Sequence, residues 1–223
     1  MNKESYGKLY YENGIELGIS GYSNYRWLPD ITFPICHDLI INLGIQKQSR
    51  ILDYGCAKGF LVKAFHLLGY PNVYGVDISS YAINNCDPAV RKQLFLKQED
   101  FPLILNSGFD WLIAKDVFEH IPYSDLPATL TTLSFRVSNL FCAVPLGQDG
   151  KYCIPEYEKD TTHIIREPLD WWCKTLEENG FSILNAGYTF GCLKTNWSHY
   201  DYGNGFFTAK SKNCLTNYEN NNK

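Results

Sequence analysis

The chain has 223 residues, of which 45% are hydrophobic and 20% charged, a balance that provides ample material for a buried core. Its formal net charge of −4 argues against a broad phosphate-binding surface. No apolar run approaches the roughly 18 residues that a membrane span needs, and the polar start of the chain lacks the apolar centre of a secretory signal. We therefore expect a cytoplasmic protein without a membrane segment.

The eight cysteines are scattered along the chain, and none of them forms a C-x-x-C pair. Such pairs are the usual signal of zinc sites and of thioredoxin-type redox motifs. The spacing therefore predicts free thiols in a reducing compartment and indicates no metal site.

Short aliphatic runs alternate with helical stretches over the first two thirds of the chain. The clearest helix, 59–69, has its apolar residues on one face and ends at Gly69 and Pro71. Alternation of this kind predicts a parallel sheet covered by helices on both faces. In chain order, the predicted elements are a helix at 33–43, a strand at 50–55, the helix at 59–69, a strand at 72–78, a helix at 80–85, strands at 94–97 and 109–114, a helix at 124–135 and a strand at 138–144.

The pattern changes after the last of these strands. Residues 145–168 contain prolines, glycines and charges without a clear period, which predicts a long excursion from the sheet. A helix is predicted at 169–180, followed by two closing strands at 181–191 and 202–211.

The stretch "ILDYGCAKGF" (51–60) ends the first predicted strand with Asp53 and then alternates small residues. Small residues allow a sharp turn or a close approach to the backbone, and ligands of open α/β sheets bind beyond the carboxyl ends of the strands. The second strand also ends in an acid, Asp77, and a carboxylate accepts well from paired ribose hydroxyls. Two acids around such a turn fit a positively charged ligand better than a pyrophosphate.

A dinucleotide-dependent dehydrogenase is the nearest alternative with the same architecture. Its G-x-G-x-x-G signature needs glycine at three fixed positions. Counting from Gly55, the second position is Ala57 and the third is Phe60, an aromatic residue where helix and strand must pack closely. We therefore set the dehydrogenase interpretation aside.

The stretches "ILDYGCAKGFL", "VYGVDIS" and "FDWLIAKDVFEHIP" (109–122) resemble motifs of class I S-adenosylmethionine-dependent methyltransferases, in the small-molecule branch. The core match covers roughly residues 48–144. Two positions depart from the pattern: Ala57, where glycine is usual, and Lys58, where a small side chain is common. The resemblance implies an α/β, Rossmann-like sheet of seven strands, mostly parallel with the last strand antiparallel, and helices on both faces.

The resemblance also implies S-adenosyl-L-methionine as the cofactor and assigns residues to its parts. Asp77 matches the acid that binds the ribose hydroxyls, and Ile78 the apolar residue beside the adenine. In "QEDF", Asp100 and Phe101 match the adenine-edge motif. The residues expected around the methionine part are Asp53, Gly55, Cys56, Gly59 and, at the end of the fourth strand, Lys115.

A hydroxyl acceptor loses its proton around methyl transfer, so a nearby base assists the reaction. The candidates near the strand ends are Asp116, His120 and His163. Each has a structural alternative: Asp116 could cap the turn that follows it, His120 is more often structural in the resembled branch, and His163 could make a structural hydrogen bond.

The expected organisation is a single methyltransferase domain over residues 1–212 and a disordered, Asn-rich tail at 213–223. Tyr22, Tyr25 and Arg26 could close over the cofactor. The parts of the domain are an N-terminal helical cap (1–48), the cofactor-binding core (49–144), the substrate-side excursion (145–168), and a C-terminal helix with two strands (169–212).

The acceptor is indicated only by what the chain lacks. No Asp/Asn-Pro-Pro-aromatic run follows the fourth strand, which disfavours methylation of DNA bases, and the net charge of −4 disfavours large RNAs. We therefore expect methyl transfer to an oxygen or nitrogen of a small molecule, such as a sugar or another biosynthetic intermediate. Two alternatives stay open: a nucleic-acid or protein methyltransferase, and a non-catalytic cofactor-binding subunit of a complex.

Overall fold

The computed structural model describes residues 3–97 and 108–214 of the chain. Its strands are β1 (Ile51–Tyr54), β2 (Val73–Asp77), β3 (Leu94–Leu96), β4 (Phe109–Lys115), β5 (Val137–Pro145), β6 (Gly147–Gln148), β7 (Lys151–Tyr152), β8 (Phe181–Gly187) and β9 (Asn204–Ser211). Its α-helices are α1 (Lys8–Glu12), α2 (Gly14–Leu17), α3 (Pro29–Leu43), α4 (Phe60–Leu67), α5 (Ser80–Asn84), α6 (Leu126–Ser134) and α7 (Leu169–Glu178). Short 3₁₀ helices span Lys3–Tyr6, Pro88–Gln93, Phe118–His120, Pro155–Lys159 and Thr195–Trp197.

The main sheet has seven strands in the order β3-β2-β1-β4-β5-β9-β8. Strands β1 to β5 are parallel to their neighbours, and β9 runs antiparallel to both β5 and β8. This confirms the expected seven-stranded, mostly parallel sheet with its last strand antiparallel. The strand order reverses between β1 and β4, and in such sheets a ligand cleft opens at the carboxyl ends of the strands at this point.

The central strands are largely apolar because helices cover both faces of the sheet. Side chains alternate between the faces along a strand. Ile51 and Ile113 pack with helices α3 and α4 on one face, whereas Leu52 and Leu112 pack with α6 and α7 on the other. All four are fully buried. The continuous apolar runs of the sequence are therefore typical of a parallel sheet with two covered faces.

The N-terminal segment, residues 3–25, packs against the cleft end of the sheet. Tyr6, Tyr10 and Tyr11 are buried in a third apolar cluster together with Ala82 of α5. The hydroxyl of Ser79 donates to the carbonyl of Tyr6 (2.6 Å) and so joins this segment to the end of β2.

Lys58, one of the two departures from the family pattern, holds the same segment. Its ammonium group donates to the carboxylate of Glu12 (2.7 Å) and to the carbonyl of Tyr25 (2.8 Å). The residue is only 9% exposed. Lysine is rarely buried to this extent unless it is paired, and these two hydrogen bonds provide the pairing. The long side chain therefore connects the turn after β1 to the N-terminal segment.

Most predicted elements have the observed type and similar bounds, with two differences at their ends. The first predicted helix begins earlier, at Pro29, because proline has no N–H to leave unpaired in a first turn. The strand predicted over 181–191 ends at Gly187, after which residues 188–203 form turns and a short 3₁₀ helix.

The excursion, 145–168, is more ordered than its composition indicated. It contains the β6–β7 hairpin and a 3₁₀ helix, and its two ends are connected by a hydrogen bond from the Tyr152 hydroxyl to the carbonyl of Ile165 (2.8 Å). Strands of two residues are too short to show any period, which is why the sequence did not predict them.

Two smaller expectations concern the cysteines and the membrane. The cysteines from Cys36 to Cys192 have free thiols. Within residues 3–97 and 108–214, no helix is both long and apolar enough to cross a membrane.

Candidate active site

A cleft of about 620 Å³ opens at the carboxyl ends of β1, β2 and β4. Three parts of the chain line it: the N-terminal segment, the turns after β1 and β2, and the segment after β4. The lining includes Tyr6, Tyr10, Tyr11 and Tyr22 from the first, Gly55, Ala57, Asp77 and Ile78 from the second, and Asp116, Val117 and His120 from the third.

The turn after β1 requires glycine for its own conformation. Gly55 and Gly59 have positive φ values, +82° and +75°, which disfavour any residue with a Cβ atom. A Cβ on Gly55 would collide with Val117, and one on Gly59 would collide with Leu94. Gly55 also lines the cleft. Because it has no side chain, the backbone can turn sharply there and the cavity stays open.

Asp77 connects the turns after β1 and β2. Its Oδ2 accepts from the backbone N–H of Ala57 (2.8 Å) and its Oδ1 from that of Ser79 (2.7 Å). Ala57 has φ +49°, a left-handed conformation that costs an L residue roughly 1–2 kcal/mol. Burial raises the pKa of Asp77, and the backbone hydrogen bonds oppose this shift. The carboxylate thus lies at the cleft with each oxygen already oriented by the backbone.

Asp53 lies behind this turn and is 5% exposed. Burial, together with the charge of Asp77, raises its pKa to about 7, while the ammonium of Lys115 opposes the shift. A positively charged ligand in the cleft would favour ionisation of both acids. Cys56 is also buried, and its Sγ packs so close to Gly75 that a Cβ there would lie 2.7 Å away.

The sequence-predicted cofactor residues therefore fall into three groups. Gly55, Asp77 and Ile78 line the cleft. Asp53, Cys56 and Gly59 form the turn and strand behind it, and Lys115 ends β4. Asp100 and Phe101 lie outside the described residues, so their assignment stays a prediction.

Aromatic rings from the N-terminal segment cover the cleft. The ring centroids of Tyr6 and Tyr10 are 5.0 Å apart, and those of Tyr22 and Tyr25 are 4.8 Å apart, both in edge-to-face contact. Tyr22 lines the cleft, in keeping with the expectation that it closes over the site. Arg26 is exposed instead, and its guanidinium donates to the carbonyl of Asn24 (3.4 Å).

Asp116, the first residue after β4, has a carboxylate held by two lysines. Lys115 donates to Oδ2 (2.5 Å), and Lys194 forms an ion pair with Oδ1. Although burial opposes ionisation, these ammonium groups hold the pKa of Asp116 well below its usual value. A carboxylate with so low a pKa is a weak proton acceptor, which argues against Asp116 as the base.

His120 lines the cleft and is oriented by a chain of hydrogen bonds. Its Nδ1 lies 2.8 Å from the hydroxyl of Thr162, which donates to Oδ1 of Asp160 (2.6 Å). The hydroxyl of Tyr10 donates to the other oxygen of Asp160 (2.8 Å). Because Thr162 uses its only proton on Asp160, His120 Nδ1 is the donor and Nε2 carries the lone pair. Burial and the neighbouring His163 lower the pKa of His120 to about 4.

His163 adjoins His120, with ring centroids 4.7 Å apart. Its Nδ1 donates to the carbonyl of Tyr157 (2.8 Å), so its Nε2 also carries a lone pair. This Nε2 lies 4.0 Å from a carboxylate oxygen of Glu119 and 4.0 Å from one of Asp160. Burial lowers the pKa of His163, so both imidazoles are neutral at neutral pH.

Glu119 is a site residue that the sequence did not single out. Its side chain is fully buried, and within the described residues neither carboxylate oxygen has a hydrogen-bond partner. Burial, with a contribution from the charge of Asp116, raises its pKa well above the usual value. The backbone N–H groups of Ile164 and Ile165 donate to its carbonyl (2.8 and 3.0 Å), which joins the segment after β4 to the excursion.

Asp160 and Thr162 were also missed. The only signal in the sequence is the polar run "EKDTTH" (158–163) inside the excursion, and a run of this kind is common in exposed loops. Thr162 contacts His120 across 42 residues of chain, and Asp160 is linked to His120 through Thr162. No local pattern indicates either contact.

Comparison with known proteins places this fold and site in a family. A family model described as "Methyltransferase domain" matches residues 31–186. Ribosomal protein L11 methyltransferase of Legionella pneumophila is 26% identical over 129 residues, which are 56% of this chain and 44% of that protein. The matched region thus spans less than half the length of this curated relative.

Solved structures share the fold at low sequence identity. An S-adenosylmethionine-dependent methyltransferase from Archaeoglobus fulgidus has a TM-score of 0.61 and 16% identity, over 79% of this chain and 93% of that one. Magnesium protoporphyrin IX methyltransferase from Synechocystis PCC 6803, solved with bound SAH (S-adenosylhomocysteine), has a TM-score of 0.58 and 19% identity, over 94% and 92% of the two chains.

The family match covers more than two thirds of the chain and includes the turn after β1, the acid that ends β2 and the segment after β4. These elements line the cleft together with the N-terminal segment, which lies outside the match. The chain belongs to the methyltransferase-domain family.

Proposed function

We propose that this enzyme transfers the methyl group of S-adenosyl-L-methionine to an oxygen or nitrogen of a small molecule, such as a sugar or another biosynthetic intermediate. The observation that carries the proposal is the cleft beneath the N-terminal tyrosines, whose space of about 620 Å³ is partly open to solvent. Small-molecule sites are concave and mostly apolar, with a few polar groups that fix the ligand. A covered cleft suits a compact acceptor better than a nucleic acid or a folded protein surface.

The cofactor end of the cleft supports binding of the nucleoside and the methionine. Each oxygen of Asp77 accepts one backbone N–H and keeps a second lone pair, so the carboxylate can still accept from two ribose hydroxyls. Ile78 offers an apolar surface beside the base. The negative charges of Asp53 and Asp77 suit a ligand with an ammonium and a sulfonium group.

The acceptor end is the region around His120 and His163. Both side chains are neutral at neutral pH and present an Nε2 lone pair, which can accept a proton or hold a cation. Methyl transfer is an in-line displacement on an activated sulfonium, so positioning of the acceptor accounts for much of the catalysis. We therefore assign these two histidines to acceptor binding. We assign Asp116 a structural role, because Lys115 and Lys194 hold its carboxylate.

A protein acceptor is the second candidate, because the Legionella relative is named as a methyltransferase of ribosomal protein L11. Only 56% of this chain aligns with that relative. The cleft lined by the N-terminal tyrosines, by contrast, favours a compact acceptor. We therefore rank a protein acceptor below a small molecule.

The test is methyl transfer from isotopically labelled S-adenosyl-L-methionine to three separate fractions: small metabolites, proteins and RNA. We expect label in the small-metabolite fraction with the wild type and none with Asp77→Ala. Label only in the protein or RNA fraction would contradict the proposal.

A further inference from the structure

We propose that Glu119, His120 and His163 together bind one divalent first-row transition-metal ion at the acceptor end of the cleft. The ion's open coordination position would take an oxygen of the acceptor, and this second part rests on the proposed function. No pattern in the sequence indicates such a site, because the cysteine spacing lacks metal-binding pairs and His120 and His163 lie far apart in the chain.

The three side chains are already close enough to share an ion. Each offers one ligand atom, and these atoms lie within 4.8 Å of one another. Ligand atoms around a tetrahedral ion with bonds of 2.0–2.1 Å lie roughly 3.4 Å apart. The three groups therefore need to close by at most about 1.4 Å, which rotations of the side chains can supply.

The carboxylate of Glu119 is the independent observation that points to a cation. The side chain is fully buried, and within residues 3–97 and 108–214 neither oxygen has a hydrogen-bond partner. A buried carboxylate without partners is unfavourable, and buried charges in proteins are normally paired or coordinate metals. The nearby ammonium of Lys194 forms its ion pair with Asp116, so it does not fill this role.

The hydrogen bonds behind the histidines have the form found behind metal ligands. A metal-bound histidine usually donates its other ring N–H to a carbonyl or carboxylate, which fixes the tautomer. His163 donates Nδ1–H to the carbonyl of Tyr157, and His120 donates Nδ1–H to Thr162, which in turn donates to Asp160. In both rings Nε2 keeps the lone pair that a metal requires.

The ligand set indicates the class of metal. Two imidazoles and one carboxylate suit zinc, iron, cobalt or manganese, whereas calcium and magnesium prefer oxygen ligands alone. Three protein ligands leave a position open, which is the arrangement of catalytic rather than structural sites. His120 lines the cleft, so an ion bound to it borders the cavity that would hold the acceptor.

Titration of the chelator-treated, full-length protein with Co²⁺, followed by visible absorption, tests the proposal. Cobalt reports its geometry through its d–d bands, and coordination by cysteine would add charge-transfer bands in the near ultraviolet. The variants are Glu119→Gln and His163→Ala, and His37→Ala is the matched control because His37 is exposed on α3. Thermal unfolding with and without Co²⁺ is recorded for each.

We expect one Co²⁺ per chain in the wild type and in His37→Ala, without thiolate bands, and at least tenfold weaker binding in the other two variants. Without metal, Glu119→Gln should unfold at a temperature no lower than that of the wild type, because it replaces a buried carboxyl group that has no hydrogen-bond partner among the described residues. Added Co²⁺ should raise the unfolding temperature of the wild type and of His37→Ala, but not that of Glu119→Gln or His163→Ala. His163→Ala keeps the test decisive if one variant fails to fold.

Absence of Co²⁺ binding, binding with thiolate bands, or equal affinity in Glu119→Gln and His163→Ala would overturn the proposal. Binding of S-adenosylhomocysteine to the same chelator-treated samples is measured in parallel. Its loss would count against the proposed function, whereas loss of Co²⁺ binding alone would count only against the metal site.

Discussion

The two ends of the cleft present buried carboxylates in opposite states. At the cofactor end, both oxygens of Asp77 accept backbone N–H groups from the turns they connect. At the acceptor end, neither carboxyl oxygen of Glu119 has a hydrogen-bond partner among the described residues. The cofactor end is therefore pre-formed by the chain itself, whereas the end that we assign to the acceptor contains a carboxyl group that the described residues leave without a hydrogen bond.

The two ends also differ in how the chain assembles them. Asp77 meets Ala57 across neighbouring parallel strands, which is a consequence of the fold itself. His120 and His163 meet because the excursion returns to the sheet and bonds to the backbone of Glu119. The parallel sheet fixes the first contact, while the second depends on the path of the excursion, residues 145–168.

The largest effect that we expect is at the cofactor end. Asp77→Ala should weaken binding of S-adenosylhomocysteine by at least 100-fold, because it removes two hydrogen bonds to a charged acceptor that are together worth roughly 3–6 kcal/mol. Calorimetric titration measures this change. Asp170→Ala, an exposed acid on α7, is the control. Equal affinity in Asp77→Ala and the control would show that the ribose is bound elsewhere.

The buried Asp53 should make stability depend on pH. Its pKa is raised from 3.8 to about 7, so its contribution to stability is full below about pH 4 and is lost as the pH rises through about 7. Relative to Asp53→Asn, the wild type should therefore lose on the order of 3 kcal/mol of unfolding free energy over this range. Denaturant titrations of both proteins at pH 4.5, 6 and 7.5 would reveal it. Parallel curves would mean that Asp53 ionises normally in the fold.

The attachment of the N-terminal segment should depend on Lys58. Lys58→Ala removes the bonds to Glu12 and Tyr25, a loss of roughly 2 kcal/mol, so we expect faster hydrogen exchange over residues 8–25 and weaker cofactor binding. Lys63→Ala is the matched control. Lys63, on α4, also forms an ion pair, but its partner is Asp87 and not the N-terminal segment. If both variants exchange alike, the segment is held by its tyrosines alone.

The smallest effect concerns the strained residue of the turn after β1. Ala57→Gly should raise the unfolding free energy by about 0.5–1 kcal/mol, because glycine adopts the observed φ of +49° without strain. Ala128→Gly, in an exposed position of helix α6, should lower it by a similar amount. Thermal unfolding of the two variants gives the comparison. The same sign in both would argue that the turn conformation differs from the one described.

The sequence predicted the sheet well because its signals are local. Apolar runs covered on both faces, the glycine turn after β1 and an acid at the end of β2 all follow from short stretches of sequence. The lysine at position 58 was recognised as a departure from the family pattern, but its partner Glu12 is 46 residues away, so only the structure explains it.

The acceptor end was predicted only in part, for the same physical reason. His120 and His163 were predicted as separate candidates. Their contact depends on tertiary packing, and so does the burial of the Glu119 carboxyl group without a hydrogen-bond partner among the described residues. The hairpin within the excursion consists of strands too short to show a period. Long-range contacts of this kind leave no periodic signal in a sequence.

The most direct test of the account is a crystal structure of the complex with S-adenosylhomocysteine. We expect the ribose hydroxyls within hydrogen-bond distance of the Asp77 carboxylate, and the sulfur atom directed along the cleft toward His120 and His163. A ligand bound outside the cleft, or one whose sulfur faces away from these histidines, would contradict the division of the cleft into a cofactor end and an acceptor end.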